Sequence, residues 1–184
     1  FQIDAGMDTG PMLLAAEVPV EPGEDAGALT ARLAEVGARL TVETLDALEA
    51  GQVEPRPQPE AGASLAPKVT AEEARLDFSE PAARLADAVR AFTPAPGAWT
   101  THRGRRLKVT RATPAEGSRE PSPEDGRPTL EPGRLALGPG GRLLVGAADQ
   151  PLELLAVQPE GRRAMSGAEF ARGARLGPDE WLGR

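Results

Sequence analysis

The chain contains no cysteine, which excludes disulfides, thiolate metal sites and a cysteine nucleophile. A single histidine, His102, excludes any multi-histidine metal centre. No apolar run approaches the ~18 residues that a membrane-spanning helix needs. Tyrosine is absent, lysine occurs only as Lys68 and Lys108, and aromatic residues make up 3% of the chain. Such a profile, rich in Ala, Gly, Pro and Arg, matches translated GC-rich DNA, so an arginine run is discounted before meaning is read into it. No charged-then-apolar leader follows Phe1, and no signal peptide is expected. The opening at Phe1 instead predicts a chain that starts inside something longer.

What is present suffices for one ordinary domain or two small ones. The chain has 184 residues and a mass of 19.2 kDa, with 40% apolar residues, enough to bury a core. Its 19 prolines and 21 glycines are numerous but short of a disordered composition. The net charge of −7 is uneven. Residues 1–70 hold four basic and twelve acidic side chains, a net −8, so residues 71–184 sum to +1. An acidic front meets a near-neutral rear with basic clusters, which predicts two units with different partners.

Phe1–Asp4 reads as the end of a strand, residues 4–11 as a Gly-rich loop, and residues 12–20 as a further strand. From Asp25 a helical period runs through Leu29, Leu33, Val36 and Leu40, then Leu45 and Leu48, and stops at Gly51. Gly37 is expected to mark a bend between two helices. Residues 52–69 are Pro-rich and aperiodic, a linker. Thr70 and Glu73 form a capping box for a short helical turn. Ser79 opens a helix carrying Leu85, Val89 and Phe92, ended by Pro94 and Pro96. Residues 98–102 and 105–112 form a hairpin around Arg103-Gly104. Residues 113–130 read as a polar, mobile insertion. Strands over 134–137 and 142–145 flank a Gly-Pro-Gly-Gly turn, residues 152–157 form another, and Ser166 and Glu169 cap a last helix. About five short strands between two helices predict a small barrel.

Four segments carry candidate chemistry. In Asp4-Ala5-Gly6-Met7-Asp8-Thr9-Gly10-Pro11, two carboxylates four apart follow a strand, among glycines that let a ligand approach the backbone. A carboxylate there can orient a base; equally, Asp8 and Thr9 can simply hold a turn. His102-Arg103-Gly104-Arg105-Arg106-Leu107-Lys108 can grip phosphates or be a solvated hairpin tip. His102 reads as structural, with no neighbouring nucleophile or orienting acid. Arg162 and Arg163 precede the Ser166 cap, where a helix start favours anions; the alternative is an ordinary loop. Phe92 to Trp99 reads as corner packing, with a ligand-stacking surface as the minority reading.

These segments resemble a known family. Residues 4–11 look like the loop of folate-dependent formyltransferases. Thr70 to Ser79, Arg90 to Trp99, and Leu155 to Ser166 resemble methionyl-tRNA formyltransferases, in order and with fitting spacing. The resemblance implies formyl transfer from 10-formyltetrahydrofolate to the amino group of methionine on the initiator tRNA. It implies a fold of two parts: the C-terminal end of a Rossmann-like α/β catalytic domain (1–51), and, after the linker (52–69), an OB-like β-barrel with flanking helices that holds tRNA (70–184). Asp8 matches the catalytic aspartate, which orients and charge-balances a histidine. Gly6, Thr9 and Gly10 shape the folate-side loop, and Asp4 is structural. Arg162 and Arg163 match a basic pair expected near tRNA; Arg105, Arg106 and Lys108 are added on electrostatic grounds.

The family's catalytic asparagine and histidine lie in a motif centred on His-x-Ser-Leu-Leu-Pro, which this sequence does not contain. The chain is therefore expected to be an N-terminally truncated and inactive portion of a cytoplasmic, monomeric enzyme. Neither a metal nor a tightly bound cofactor is implied, and no membrane. The alternative is a stand-alone tRNA-binding barrel. A sugar-nucleotide formyltransferase or a formyltetrahydrofolate dehydrogenase fits the linker and barrel less well.

Overall fold

The structure, a computed structural model, describes residues 1–115, 130–177 and 179–184. They form two compact units, Phe1–Lys68 and Val69–Arg184. Most of the insertion expected over 113–130 lies outside the described residues.

The first unit is built on one helix, α1 (Ala26–Glu49). Asp25 caps it, its carboxylate accepting from the Ala28 N–H at 2.8 Å. Arg32 locks the first turns, binding both Glu24 oxygens at 2.9 and 2.7 Å and donating to the Pro19 carbonyl at 2.6 Å. The helix runs straight past Gly37, so the expected break does not occur. A glycine costs only about 1 kcal/mol in a helix interior, and the good helix formers around it outweigh that. Leu29, Val36 and Leu40 are half-buried, but Leu33, Leu45 and Leu48 are 46%, 58% and 45% exposed.

The strands expected at 1–4 and 12–20 do not form. Met12 alone pairs with Arg56, through two backbone bonds of 2.8 and 2.9 Å. A strand needs a continuous partner, and among the described residues of this unit none runs beside 13–20. The α/β character expected for 1–51 is thus absent: helix and loop, without a sheet.

The second unit is a curled antiparallel sheet with two helices. Helix α2 (Ala82–Phe92) is followed by β1 (Trp99–His102) and β2 (Arg105–Pro114), then β3 (Leu135–Leu137), β4 (Leu143–Val145), β5 (Leu152–Pro159), β6 (Met165–Ser166) and α3 (Gly167–Ala174). The sheet order is β1-β2-β5-β4-β3, with β6 added to β5. Arg103 and Gly104 both have positive φ, 49° and 72°, the geometry of a two-residue type I′ hairpin turn. A register shift around Arg111 bends β2, the long strand of the curl.

The C-terminal residues strap the open edges of this sheet together. Leu135 N–H donates to the Glu180 carbonyl and Leu182 N–H to Gly133, both at 2.8 Å, while Gly183 N–H donates to Thr101 at 2.9 Å. One short segment thereby touches both β1 and the chain before β3. Inside sit Leu107, Val109, Leu143, Val145, Leu152, Leu154 and Val157, all essentially solvent-free. Helix α2 adds Leu85 and Val89, and α3 adds Phe170.

Local details explain the helix ends. Helix α2 begins at Ala82, not at Ser79. Ser79 is held in a turn by the Asp77 carboxylate, and the N–H of Ala82 is capped by Asp149 at 2.8 Å, from 67 residues away. Thr70 and Glu73 make their capping-box bonds, but residues 71–74 close only a turn. Ser166 and Glu169 form a full capping box on α3. Gly167 lets α3 lie on β5: a β-carbon there would stand 1.9 Å from the Leu154 carbonyl oxygen.

Candidate functional site

The two predicted site regions lie in different units. In the first, the loop 4–11 is tied shut. Gln2 N–H donates to Pro11 at 3.0 Å. The Asp4 carboxylate accepts from Gly6 N–H at 3.0 Å and from the Thr9 hydroxyl at 2.7 Å. Gln58 spans the Asp8 and Gly10 carbonyls, donating to both at 2.7 Å. Residues 56–58 of the Pro-rich segment are thus docked on the loop rather than free. Gly10 is buried against the Gln2 backbone, and a β-carbon there would stand 1.6 Å from the Gln2 carbonyl oxygen. Asp8 takes a left-handed conformation, φ 53°, and its side chain is exposed. Asp4 and Thr9, not Asp8, hold the turn, so the Asp8 carboxylate is left available.

In the second unit, the hairpin tip, the end of β5 and α3 enclose an open groove of about 240 Å³. Arg103, Arg105, Arg106 and Arg162 line it, with Glu160 and Phe170. Three of the five predicted basic residues, Arg105, Arg106 and Arg162, are thus brought together from segments some 50 residues apart. Lys108 and Arg163 are not. Lys108 lies along the backbone at Gly97, and Arg163 faces Glu169 electrostatically. The anion site expected at the start of α3 is already filled. The Glu169 carboxylate accepts from Ser166 N–H at 2.8 Å and from its hydroxyl at 2.9 Å, bonds that hold its pKa below the ordinary carboxylate value.

The four groove arginines differ in how much of their charge is free. Arg103 pairs with Glu180. Arg105 stands 3.6 Å from Glu160, both well exposed. Arg106 and Arg162 have no ion-pair partner among the described residues. Arg106 lies with its guanidinium 4.1 Å over the Trp99 ring, and Arg75 approaches the same ring at 5.6 Å. The Trp99 indole N–H donates to the Ala71 carbonyl at 2.6 Å, fixing the ring.

His102 does have an orienting acid, contrary to the sequence expectation. Its Nε2 lies 3.1 Å from the Glu180 carboxylate, and its ring meets Phe170 edge-on at 5.2 Å. Glu180 is pulled down to about 2, chiefly by the Arg103 guanidinium, then by His102 and the Gly177 N–H, against the opposing effect of burial. Among the described residues no hydroxyl nucleophile is bonded to His102, and the His102–Glu180–Arg103 cluster fastens the strap to the hairpin tip.

Sequence reading missed Glu180, Glu160 and the Trp99 platform. The last was findable. A two-residue turn at 103–104 pairs His102 with Arg105 and Trp99 with Lys108, which puts Arg106 diagonally beside Trp99 on one face. Among the described residues no cluster of His, Asp or Glu could hold a metal ion, and no helix is long and apolar enough to cross a membrane.

Comparison with known proteins gives this geometry a family. The chain is 45% identical over 180 residues to the methionyl-tRNA formyltransferase of Parafrankia sp. (strain EAN1pec), covering 98% of this chain and 55% of that one. It is 44% identical over 183 residues to those of Thermobifida fusca and Streptomyces coelicolor, covering 100% of this chain and 56% of each. The chain therefore spans about half the length of these curated relatives. In fold it is similar to HypX from Aquifex aeolicus, with a TM-score of 0.67 at 19% identity over 94% of this chain and 29% of that one. Residues 68–175, the curled sheet and its two helices, match the family described as formyl transferase, C-terminal domain, and the chain belongs to that family.

Proposed function

We propose that the chain is the C-terminal part of a methionyl-tRNA formyltransferase. The whole enzyme moves a formyl group from 10-formyltetrahydrofolate to the amino group of methionine on the initiator tRNA, as a monomer in the cytoplasm. The carrying observation is that the relatives described above, alike over essentially the whole chain, all bear that name. HypX, a fold neighbour, has been solved with tetrahydrofolic acid, and we extend a folate donor to this chain.

On this reading, residues 1–51 end the catalytic domain, residues 52–69 link it to the next, and residues 70–184 form an OB-like barrel that holds tRNA. Asp8 orients and charge-balances a catalytic histidine while the attacking amine loses its protons. Gly6, Thr9 and Gly10 shape the loop on the folate side. Asp8 by itself supplies neither a base nor an oxyanion donor, so the 184-residue chain alone carries out no formyl transfer. Its own task is to grip RNA. Arg105, Arg106 and Arg162 line one groove with little opposing charge, while Arg163 and Lys108, the other basic residues of this reading, are not among its lining residues.

The test is RNA affinity as a function of salt. Changing Arg162 and Arg163 together to Ala weakens initiator-tRNA binding and lowers the salt slope by about 1, since one phosphate contact is lost. Binding and slope equal to those of the parent chain would refute the groove as the RNA interface.

A further inference from the structure

We propose that Trp99 is a positioning residue for RNA binding: its indole holds the Arg106 guanidinium flat, so that Arg106 meets a backbone phosphate pre-formed. This rests on the reading of the groove as an RNA interface and assigns the means by which one arginine in it is made selective for phosphate.

The argument starts from the hairpin register. Trp99 pairs with Lys108 and Thr101 with Arg106, so Trp99 and Arg106 share the face turned away from the core residues Thr100, Leu107 and Val109. On that face the guanidinium stacks 4.1 Å over the indole ring. Trp99 does not give way under it, because the indole N–H is bonded to the Ala71 carbonyl and the Trp99 backbone N–H to Ala74 at 2.9 Å. On this platform Arg106 forms no ion pair among the described residues, and its Nε is buried without a hydrogen-bond partner. A guanidinium without an ion-pair partner among the described residues, on a residue that lines a groove beside a second such arginine, Arg162, is a group short of an acceptor.

A phosphate diester supplies that acceptor. Guanidinium and phosphate match as a planar fork against two oxygens. Arg normally loses much side-chain freedom when it binds. Stacking on a fixed indole removes most of that freedom beforehand. Lysine in place of Arg106 would keep the charge and lose both the fork and the stack.

The experiment is a double-mutant cycle on the 184-residue chain, with deacylated initiator tRNA as the probe, read by fluorescence anisotropy from 50 to 300 mM salt. Arg106→Gln is expected to weaken binding about tenfold and lower the salt slope by about 1. Trp99→Leu keeps every charge. It is expected to weaken binding about threefold to tenfold with the slope unchanged. In the Arg106→Gln background, Trp99→Leu is expected to cost nothing further, and Arg106→Lys is expected to bind more weakly than the parent at every salt concentration, by less than Arg106→Gln at the low-salt end, while keeping the parent slope. Circular dichroism confirms that each variant is folded, and Trp99→Phe serves as a milder second probe of the platform. If Trp99→Leu weakens binding equally in both backgrounds, Trp99 acts structurally and the inference falls while the groove stands. If Arg106→Gln and the Arg162/Arg163 double change both leave affinity and slope at parent values, the groove reading falls with it.

Discussion

Replacing Glu180 by Gln isolates the charge on the strap from its backbone. The bond from Leu135 N–H to the Glu180 carbonyl is untouched by the change, as is the burial of Leu182. What is lost is a carboxylate, 14% exposed, that faces His102 and Arg103 together. Its pKa drops from the ordinary 4.5 to about 2 on folding. At about 1.4 kcal/mol per unit, that depression sets a ceiling of about 3 kcal/mol. Arg103, the main cause, is 53% exposed, and water screens the pair, so about 1–2 kcal/mol is the expected contribution. The sign follows from linkage. A carboxylate whose pKa is lowered by folding stabilises the folded state above about pH 4.5, and that stability drains away as the pH falls towards 2.

Both tryptophans, Trp99 and Trp181, belong to the second unit. Urea unfolding followed by tryptophan fluorescence therefore reports on the sheet and its strap alone. At pH 7 the parent should exceed Glu180→Gln by about 1–2 kcal/mol, and by pH 3 the gap should shrink to less than half. A gap that is constant from pH 7 to pH 3 would mean that shape, not charge, holds the strap. No gap at pH 7 would remove the cluster as a fastening altogether.

Two further predictions concern other parts of the chain. In a whole enzyme carrying this sequence, Asp8→Asn should lower kcat by more than a hundredfold and change the tRNA Kd by less than twofold; single-turnover kinetics beside a binding titration check this, and near-normal turnover would end the role given to Asp8. Asp149→Ala removes the cap on the Ala82 N–H and should cost the second unit about 1 kcal/mol in urea unfolding, with Asp149→Asn recovering most of the loss.

What could be read in the sequence is what short-range chemistry dictates. Arg103-Gly104 announced the hairpin because only a tight turn suits that dipeptide between two strand patterns. Ser166 and Glu169, three apart, announced α3 because each satisfies the other's backbone donor. The Gly-Pro-Gly-Gly turn between β3 and β4 is legible in the same way. Contacts made across the chain were not. Asp149 looks like a loop residue, yet it caps a helix 67 residues away. Glu180 looks like part of a polar tail, yet it meets His102 from 78 residues away. The strand expected over 12–20 failed for a related reason: its apolar residues suit a sheet, but pairing depends on a partner that residues 1–68 provide only at Met12. The sequence reading puts Arg162 and Arg163 at the helix start as one pair; in the structure Glu169 caps that start, and only Arg162 lines the groove.

On the proposed reading of the groove as an RNA interface, the strap also sets how much positive charge is left to attract RNA. Without Glu180, four arginines would face the groove with Glu160 alone opposing them. With it, Arg103 is neutralised and Arg105 is partly offset by Glu160 at 3.6 Å. Two guanidiniums, those of Arg106 and Arg162, remain fully unpaired among the described residues. Since residues 71–184 carry a net charge of only +1, no broad positive field supplements them, and long-range steering is weak. Binding by this chain should therefore show a salt slope of about 2, the count of two phosphate contacts, rather than the steep dependence of a uniformly basic RNA-binding surface. A shallow slope means that affinity here comes from geometry at a few contacts. Holding Arg106 in place then matters more than adding another charge.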